Sequence, residues 1–198
     1  MKAFRNILWA LVAIVLAGLA YLTWYDRENG SNPMVFAQIG GPFELVDQDG
    51  QPVDQTMFDG KPYALFFGFT HCPEICPTSL YEMAGWIEAM GSEADKMGFA
   101  FITVDPERDT PDVLKDYVSA FSDKIVGLTG TEEQVQSTVK SYGVLAERVP
   151  LEDGDYTMNH TASVFLMNAD GSFRGTIAYG EDADVAQKKL SNLIAVGS

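Results

Sequence analysis

Cys72 and Cys76 are the only cysteines in 198 residues, and three residues separate them in Phe67-Gly68-Phe69-Thr70-His71-Cys72-Pro73-Glu74-Ile75-Cys76-Pro77. A static disulfide here would close a loop too small to add much stability. A redox dithiol could exchange with disulfides of other proteins, although thioredoxin-type motifs place two residues between the thiols rather than three. A pair of thiolates could instead hold a soft metal ion, Cu(I) above all. Spacing alone does not separate the last two readings. A closed four-cysteine zinc site is excluded by count. A third ligand would have to be His71 or His160, the two histidines of the chain. His71 adjoins Cys72 and would have to fold back on its own backbone, so it reads as a polar loop residue. His160, in Tyr156-Thr157-Met158-Asn159-His160-Thr161-Ala162, stands just before an apolar stretch. Two cysteines and His160 would make an open site with room for ligand exchange.

The elements around these residues decide whether they can meet. Pro62–Phe69 (PYALFFGF) and Phe99–Val104 (FAFITV) are unbroken apolar runs of strand length, as expected for strands buried on both faces. Leu80, Met83, Ala84, Ile87 and Met90 recur with a helical period over Thr78–Met90. The cysteines therefore lie where a buried strand ends and a helix begins, a position at which backbone N–H groups and the helix dipole favour thiolates. Further along, Pro111–Phe121 reads as a helix with Thr110 as N-cap, and Ile125–Leu128 as a short strand. Thr131 with Gln134 forms a capping box ahead of Val135–Tyr142. Ser163–Met167 and Phe173–Ala178 read as a hairpin joined through Asn168-Ala169-Asp170-Gly171, and Asp182–Val196 as a closing helix. An earlier hairpin turns at Asp49-Gly50. This order predicts an α/β, thioredoxin-like sandwich over residues 40–198 whose last two strands are antiparallel. In that layout the segment bearing His160 returns beside the cysteine loop.

Asp105-Pro106-Glu107-Arg108-Asp109-Thr110 follows the second buried strand and falls at the same edge of the sheet. Loop chemistry accounts for most of it, with Asp109 or Thr110 capping the next helix. Asp105 is the exception, a candidate to support or dock near the thiols. Met83 and Met90 belong to the apolar helical face, and Met158 alone is placed to approach the site.

The chain carries 13 basic and 28 acidic side chains, a formal net charge of −15. A phosphate backbone would be repelled, so nucleic acid is excluded as a partner. A phosphate loop with its lysine is absent from the sequence, as is a serine nucleophile arrangement, which sets aside nucleotide and hydrolase readings. From Ile7 to Tyr25 the sequence ILWALVAIVLAGLAYLTWY has no charge. As a helix it would extend about 28 Å, roughly one hydrocarbon core. Ala17, Gly18 and Ala20 would suit a signal peptidase, but the run exceeds the usual core of roughly 7–15 residues. Residues 1–25 are thus expected to be a cytoplasmic N-terminus and transmembrane anchor. Lys2 and Arg5 before the span set its orientation and send the remainder across. Residues 26–39 are polar and read as a tether. The domain is expected in the periplasm, held to the inner membrane by a single pass.

FGFTHCPEICP, FITVDPERDTPDVLKDYV, GLTGTEEQV and a late histidine together closely resemble the Sco/SenC family, from about Gly40 to the C-terminus. The resemblance implies a membrane-anchored, thioredoxin-fold copper chaperone that assembles the dinuclear copper site of cytochrome c oxidase. It assigns Cys72 and Cys76 as copper thiolates and His160 as the third ligand, with Cu(I) or Cu(II) as cargo. Implied partners are the copper-accepting oxidase subunit, a copper donor and a thiol reductant. Two positions depart from the family pattern. Glu74 replaces an expected Asp between the cysteines, and Asn159 replaces an expected Asp before the histidine. Neither removes a ligand, but the second removes a charge beside one. The alternative function is a thiol–disulfide oxidoreductase acting on the cysteines of a client copper site. A peroxidase of the peroxiredoxin type is disfavoured, because Phe69 rather than Thr lies three residues before Cys72.

Overall fold

The two longest apolar runs form the centre of the fold, because only a strand covered on both faces can be apolar throughout. In the computed structural model, which describes residues 39–58, 60–152 and 154–196 together with Trp9, Gly18 and Tyr21, they are β3 (Tyr63–Gly68) and β4 (Gly98–Thr103). All six residues of β3 are buried. Around them lie β1 (Glu44–Asp47), β2 (Pro52–Asp54), β5 (Ile125–Thr129), β8 (Val164–Met167) and β9 (Phe173–Ile177), in a seven-stranded sheet of order β2-β1-β5-β4-β3-β8-β9. The strands β3, β4 and β5 run parallel, while β1 and β8 pair with them antiparallel and β2 and β9 close the edges as hairpins.

Parallel neighbours need crossovers, supplied by α1 (Ile75–Met90) between β3 and β4 and by α2 (Pro111–Ser119) between β4 and β5. One face of the sheet, carrying Phe66 and Phe101, packs on Tyr117 of α2. The opposite face packs Phe67 between Tyr142, which follows α3 (Glu132–Ser141), and Phe165. The closing helix α4 (Ala183–Val196) lies against α1 and the β8–β9 hairpin. The mixed α/β layout expected from the sequence is therefore the observed one. The segment expected to be a transmembrane anchor lies outside the described residues apart from Trp9, Gly18 and Tyr21.

Several local expectations also hold. The first hairpin turns through Asp49 and Gly50, where Gly50 has φ 76°, and Thr131 and Gln134 make both bonds of the capping box. Thr110 occupies the N-cap position of α2, but its side chain makes no capping bond. Pro111 has no N–H to satisfy, which reduces what a cap must do. Helix α1 starts at Ile75, three residues before the apolar period becomes visible, so Cys76 sits inside its first turn. Pro77 is tolerated there because the first-turn N–H groups have no partner within the helix.

The largest departure lies between residues 146 and 160. There β6 (Ala146–Pro150) and β7 (Tyr156–His160) form a separate two-stranded antiparallel ribbon in a region that carried no strand signal. The reason is burial. None of its ten residues is fully buried, so neither an apolar run nor a clear alternation marks it.

Candidate metal centre

Strand β3 delivers the chain to the cysteine loop, and Gly68 at its end makes the close approach possible. A Cβ on Gly68 would lie 2.7 Å from the Phe101 ring and 2.9 Å from Cys76 Sγ. Gly68→Ala is expected to destabilise the fold by about 1–3 kcal/mol and to displace the Cys76 sulfur. Chemical denaturation of the variant checks the first effect, and the pH dependence of thiol alkylation the second.

The loop is fastened by a residue read from sequence only as a possible helix cap. Asp109 is fully buried and caps nothing. Its Oδ2 accepts from the Thr70 backbone N–H at 3.0 Å and from Thr103 Oγ1 at 2.6 Å, while Oδ1 accepts from Thr70 Oγ1 at 2.6 Å. The carboxylate thus ties the end of β3 to the end of β4, two residues before Cys72. Burial raises its pKa, and the hydroxyl and amide donors oppose that rise. The sequence holds no signal for this role, because an acid beside a turn looks the same whether it faces water or the core.

Cys72 is half-exposed and Cys76 fully buried. Glu74, the N-cap of α1, makes no side-chain cap. Instead the Cys76 N–H donates to Cys72 Sγ at 3.3 Å, so the sulfur takes the place of a capping oxygen. The Cys72 thiol is drawn down to about 4, chiefly by the Cys76 thiol donating to it, against the opposing effect of burial, with the Cys76 and Glu74 N–H groups assisting. Cys76 is pushed far above the ordinary thiol range by the same hydrogen bond and by burial. The metal-free pair is therefore one thiolate and one thiol that donates to it. Both cysteines are free.

His160 closes the group from the end of β7. Its ring packs edge-on against Phe69 and Phe66, at centroid distances of 5.6 and 6.2 Å. Nδ1 lies 3.0 Å from the Thr161 carbonyl oxygen. A carbonyl can only accept, so Nδ1 carries the proton and Nε2 presents its lone pair. Nε2 is 3.3 Å from Cys76 Sγ. The two sulfurs and the imidazole nitrogen all lie within 4.8 Å of one another. Soft thiolates and a neutral imidazole with a fixed tautomer make a donor set suited to copper or zinc, and three ligands leave a position open.

The other candidates fall elsewhere. His71 is exposed, with Nδ1 at 3.1 Å from Thr70 Oγ1. Met83 is buried in the core, and Met90 and Met158 pack against it. Asp105 is 1% exposed, too buried to meet a partner directly. Its carboxylate accepts from Arg108 Nε and from Tyr156 Oη, the latter at 2.8 Å. It therefore touches none of the three ligands itself. Glu74 and Asn159, the two departures from the expected pattern, are both exposed.

Residues 32–195 match the family described as SCO1/SenC. The chain belongs to the SCO1/SenC family. It is similar to Protein SCO1 homolog 1, mitochondrial, of Arabidopsis thaliana, at 41% identity over 151 residues, covering 75% of this chain and 44% of that protein. The SCO2-like protein of Rickettsia felis is 40% identical over 138 residues, covering 69% of this chain and 67% of that protein. Thus the match spans less than half of the first relative's length and about two thirds of the second's. Among solved structures, Bradyrhizobium japonicum ScoI with copper bound aligns at a TM-score of 0.73 and 46% identity, covering 78% of this chain and 99% of that one. The thioredoxin-like SCO1/SenC fold accounts for the sheet order and for the placement of the cysteine loop at the β3–α1 junction.

Proposed function

We propose that this SCO1/SenC protein is a copper metallochaperone that holds copper on Cys72, Cys76 and His160 and delivers it to the dinuclear copper site of cytochrome c oxidase. The observation that carries this reading is the meeting of two sulfurs and one imidazole Nε2 within 4.8 Å, together with the copper bound in B. japonicum ScoI. Copper is cargo rather than a resident cofactor. Cu(I) displaces the proton held by Cys76 as both thiolates engage, so uptake releases one proton. The open coordination position then admits an incoming ligand from the acceptor, and copper moves by stepwise exchange. Residues 7–25 anchor the protein in the inner membrane and residues 26–39 tether the domain in the periplasm, where it meets the oxidase subunit, a copper donor and a thiol reductant.

A second reading is favoured by one asymmetry. Cys72 is a half-exposed thiolate and Cys76 a buried thiol, which is the pairing of an attacking and a resolving cysteine. This supports thiol–disulfide exchange with the cysteines of a client copper site. Titration of Cu(I) into the reduced protein is expected to reach one copper per chain, and the oxidised protein to bind none, since a disulfide offers no thiolate. Reduced protein that bound no copper yet reduced a disulfide substrate would replace the chaperone with the oxidoreductase.

A further inference from the structure

Among the described residues, the third ligand sits at one end of a ribbon that has no strand partner in the main sheet. An isolated two-stranded ribbon is marginal in water, so other contacts must hold β6 and β7 in place. The densest of these gather at the opposite end of β7 from His160. Tyr156, its first residue, has the Arg108 guanidinium 3.8 Å from its ring centroid and that of Arg148 at 3.9 Å. Two guanidiniums this close cannot share a face without overlapping, so the ring is clasped between them. Arg108 also donates through Nη1 to the Tyr156 carbonyl oxygen at 3.0 Å. Asp105 joins the two by accepting from Arg108 Nε and from the Tyr156 hydroxyl. On the outer side Arg148 pairs with Glu107 at 2.6 Å. Arg108 further lies 5.9 Å from the Phe69 ring, the same ring that meets His160 edge-on.

We propose that Asp105, Arg108 and Tyr156 form a latch that positions His160: closed, it presses β7 against the cysteine loop and holds Nε2 at the thiols, and opened, it withdraws the third ligand. The proposal rests on the copper-site reading above. Tyr156 and His160 are four residues apart, about 13 Å along the strand, so the latch acts on the ligand through the strand and touches no ligand itself. These are positioning residues.

The inner and outer halves are unequal. In the inner pair the Arg108 side chain is 16% exposed and that of Asp105 1%, whereas Arg148 and Glu107 are 47% and 64% exposed. Exposed pairs contribute little, while opening the inner pair strands a buried carboxylate. The inner half therefore sets the closed position and the outer half only covers it. Lysine cannot substitute for Arg108, because the position demands a flat cation that stacks on a ring and forks toward both a carboxylate and a carbonyl. Release of copper becomes a motion of one ribbon, with the thiol pair left on the loop that Asp109 fastens.

The test compares the full-length reduced protein with Arg108→Lys, Tyr156→Ala, Tyr156→Phe and Arg148→Ala. Two quantities are read: amide hydrogen exchange of the metal-free protein, and Cu(I) release to the chelator bathocuproine disulfonate. Arg108→Lys and Tyr156→Ala are expected to raise exchange within residues 146–160 and to speed copper release, each by about tenfold or more, with β3 and β4 unchanged. Arg148→Ala should stay within about fivefold of the parent, and Tyr156→Phe, which keeps the stack, should fall between. Parental exchange in Arg108→Lys and Tyr156→Ala would overturn the latch. So would faster ribbon exchange with unaltered copper release, or a rise that extends to β3 and β4, which would make the cluster a support of the whole fold. If the parent itself retains no copper, the chaperone reading fails, and the exchange contrast alone decides whether the latch exists.

Discussion

His160→Ala is expected to weaken Cu(I) retention by more than about a hundredfold, since even loss of a residue that only supports a ligand costs about 10–100-fold. Neither His71 nor Asp105 is placed to replace the imidazole. His71 is turned to Thr70 on the exposed side of the loop, and Asp105 is committed to Arg108 and Tyr156. Water could fill the vacated position, but it is a poor ligand for a soft ion. Cys72→Ser and Cys76→Ser should lose at least as much, because each exchanges a thiolate for a hydroxyl that stays protonated. Competition against a Cu(I) chelator of known affinity measures all three. Parental affinity in His160→Ala would remove the histidine from the ligand set. Thiol–disulfide exchange by the same variant is expected to persist, because that chemistry needs only the cysteines.

The second large effect concerns the metal-free thiols. Alkylation of Cys72 by iodoacetamide is expected to be nearly independent of pH between about 5 and 8. An ordinary thiol speeds up about tenfold per unit across that range, about a thousandfold in all. The sign follows from the titration. Cys72 is drawn down to about 4, so its reactive thiolate is fully formed throughout and declines only as the pH falls through that value. Cys76 is fully buried and does not contribute to the measured rate. Because the Cys76 thiol is the first cause of the shift, Cys76→Ala should move the inflection up toward the ordinary thiol range, and His160→Ala, which takes only a lone pair from the thiols, should move it little. A log-linear rise from pH 5 to 8 in the parent would show that Cys72 is an ordinary thiol.

The fold was legible where burial is two-sided or where one residue type performs a local task. PYALFFGF and FAFITV announced β3 and β4 because a strand covered on both faces needs no polar side. The capping box at Thr131 and Gln134 and the Asp49-Gly50 turn were legible because their bonds reach only a few residues along the chain. The ribbon that carries His160 was hidden for the opposite reason. AERVP and YTMNH pair with each other and bury little, so their register is set by a docking far away in sequence. Arg108 and Asp109 illustrate the same limit. Both stand in a run rich in turn residues, yet Asp109 is enclosed by Thr70 and Thr103, and Arg108 is spent on a tyrosine 48 residues further along.

Sequence by itself determined the chemistry available: two cysteines at a strand-to-helix junction, two histidines, a −15 chain and a resemblance that selects His160 over His71. Those are matters of residue type and local spacing. Tertiary structure alone decided that Cys72 holds the thiolate and Cys76 the proton, since that depends on which sulfur is buried and which receives the helix N–H. It alone decided that the His160 tautomer points Nε2 at the sulfurs, because the Thr161 carbonyl occupies Nδ1. And it alone brought Arg108 to Tyr156, because a hydrogen bond or a stacked cation acts over a few ångströms while the chain separates its partners by tens of residues.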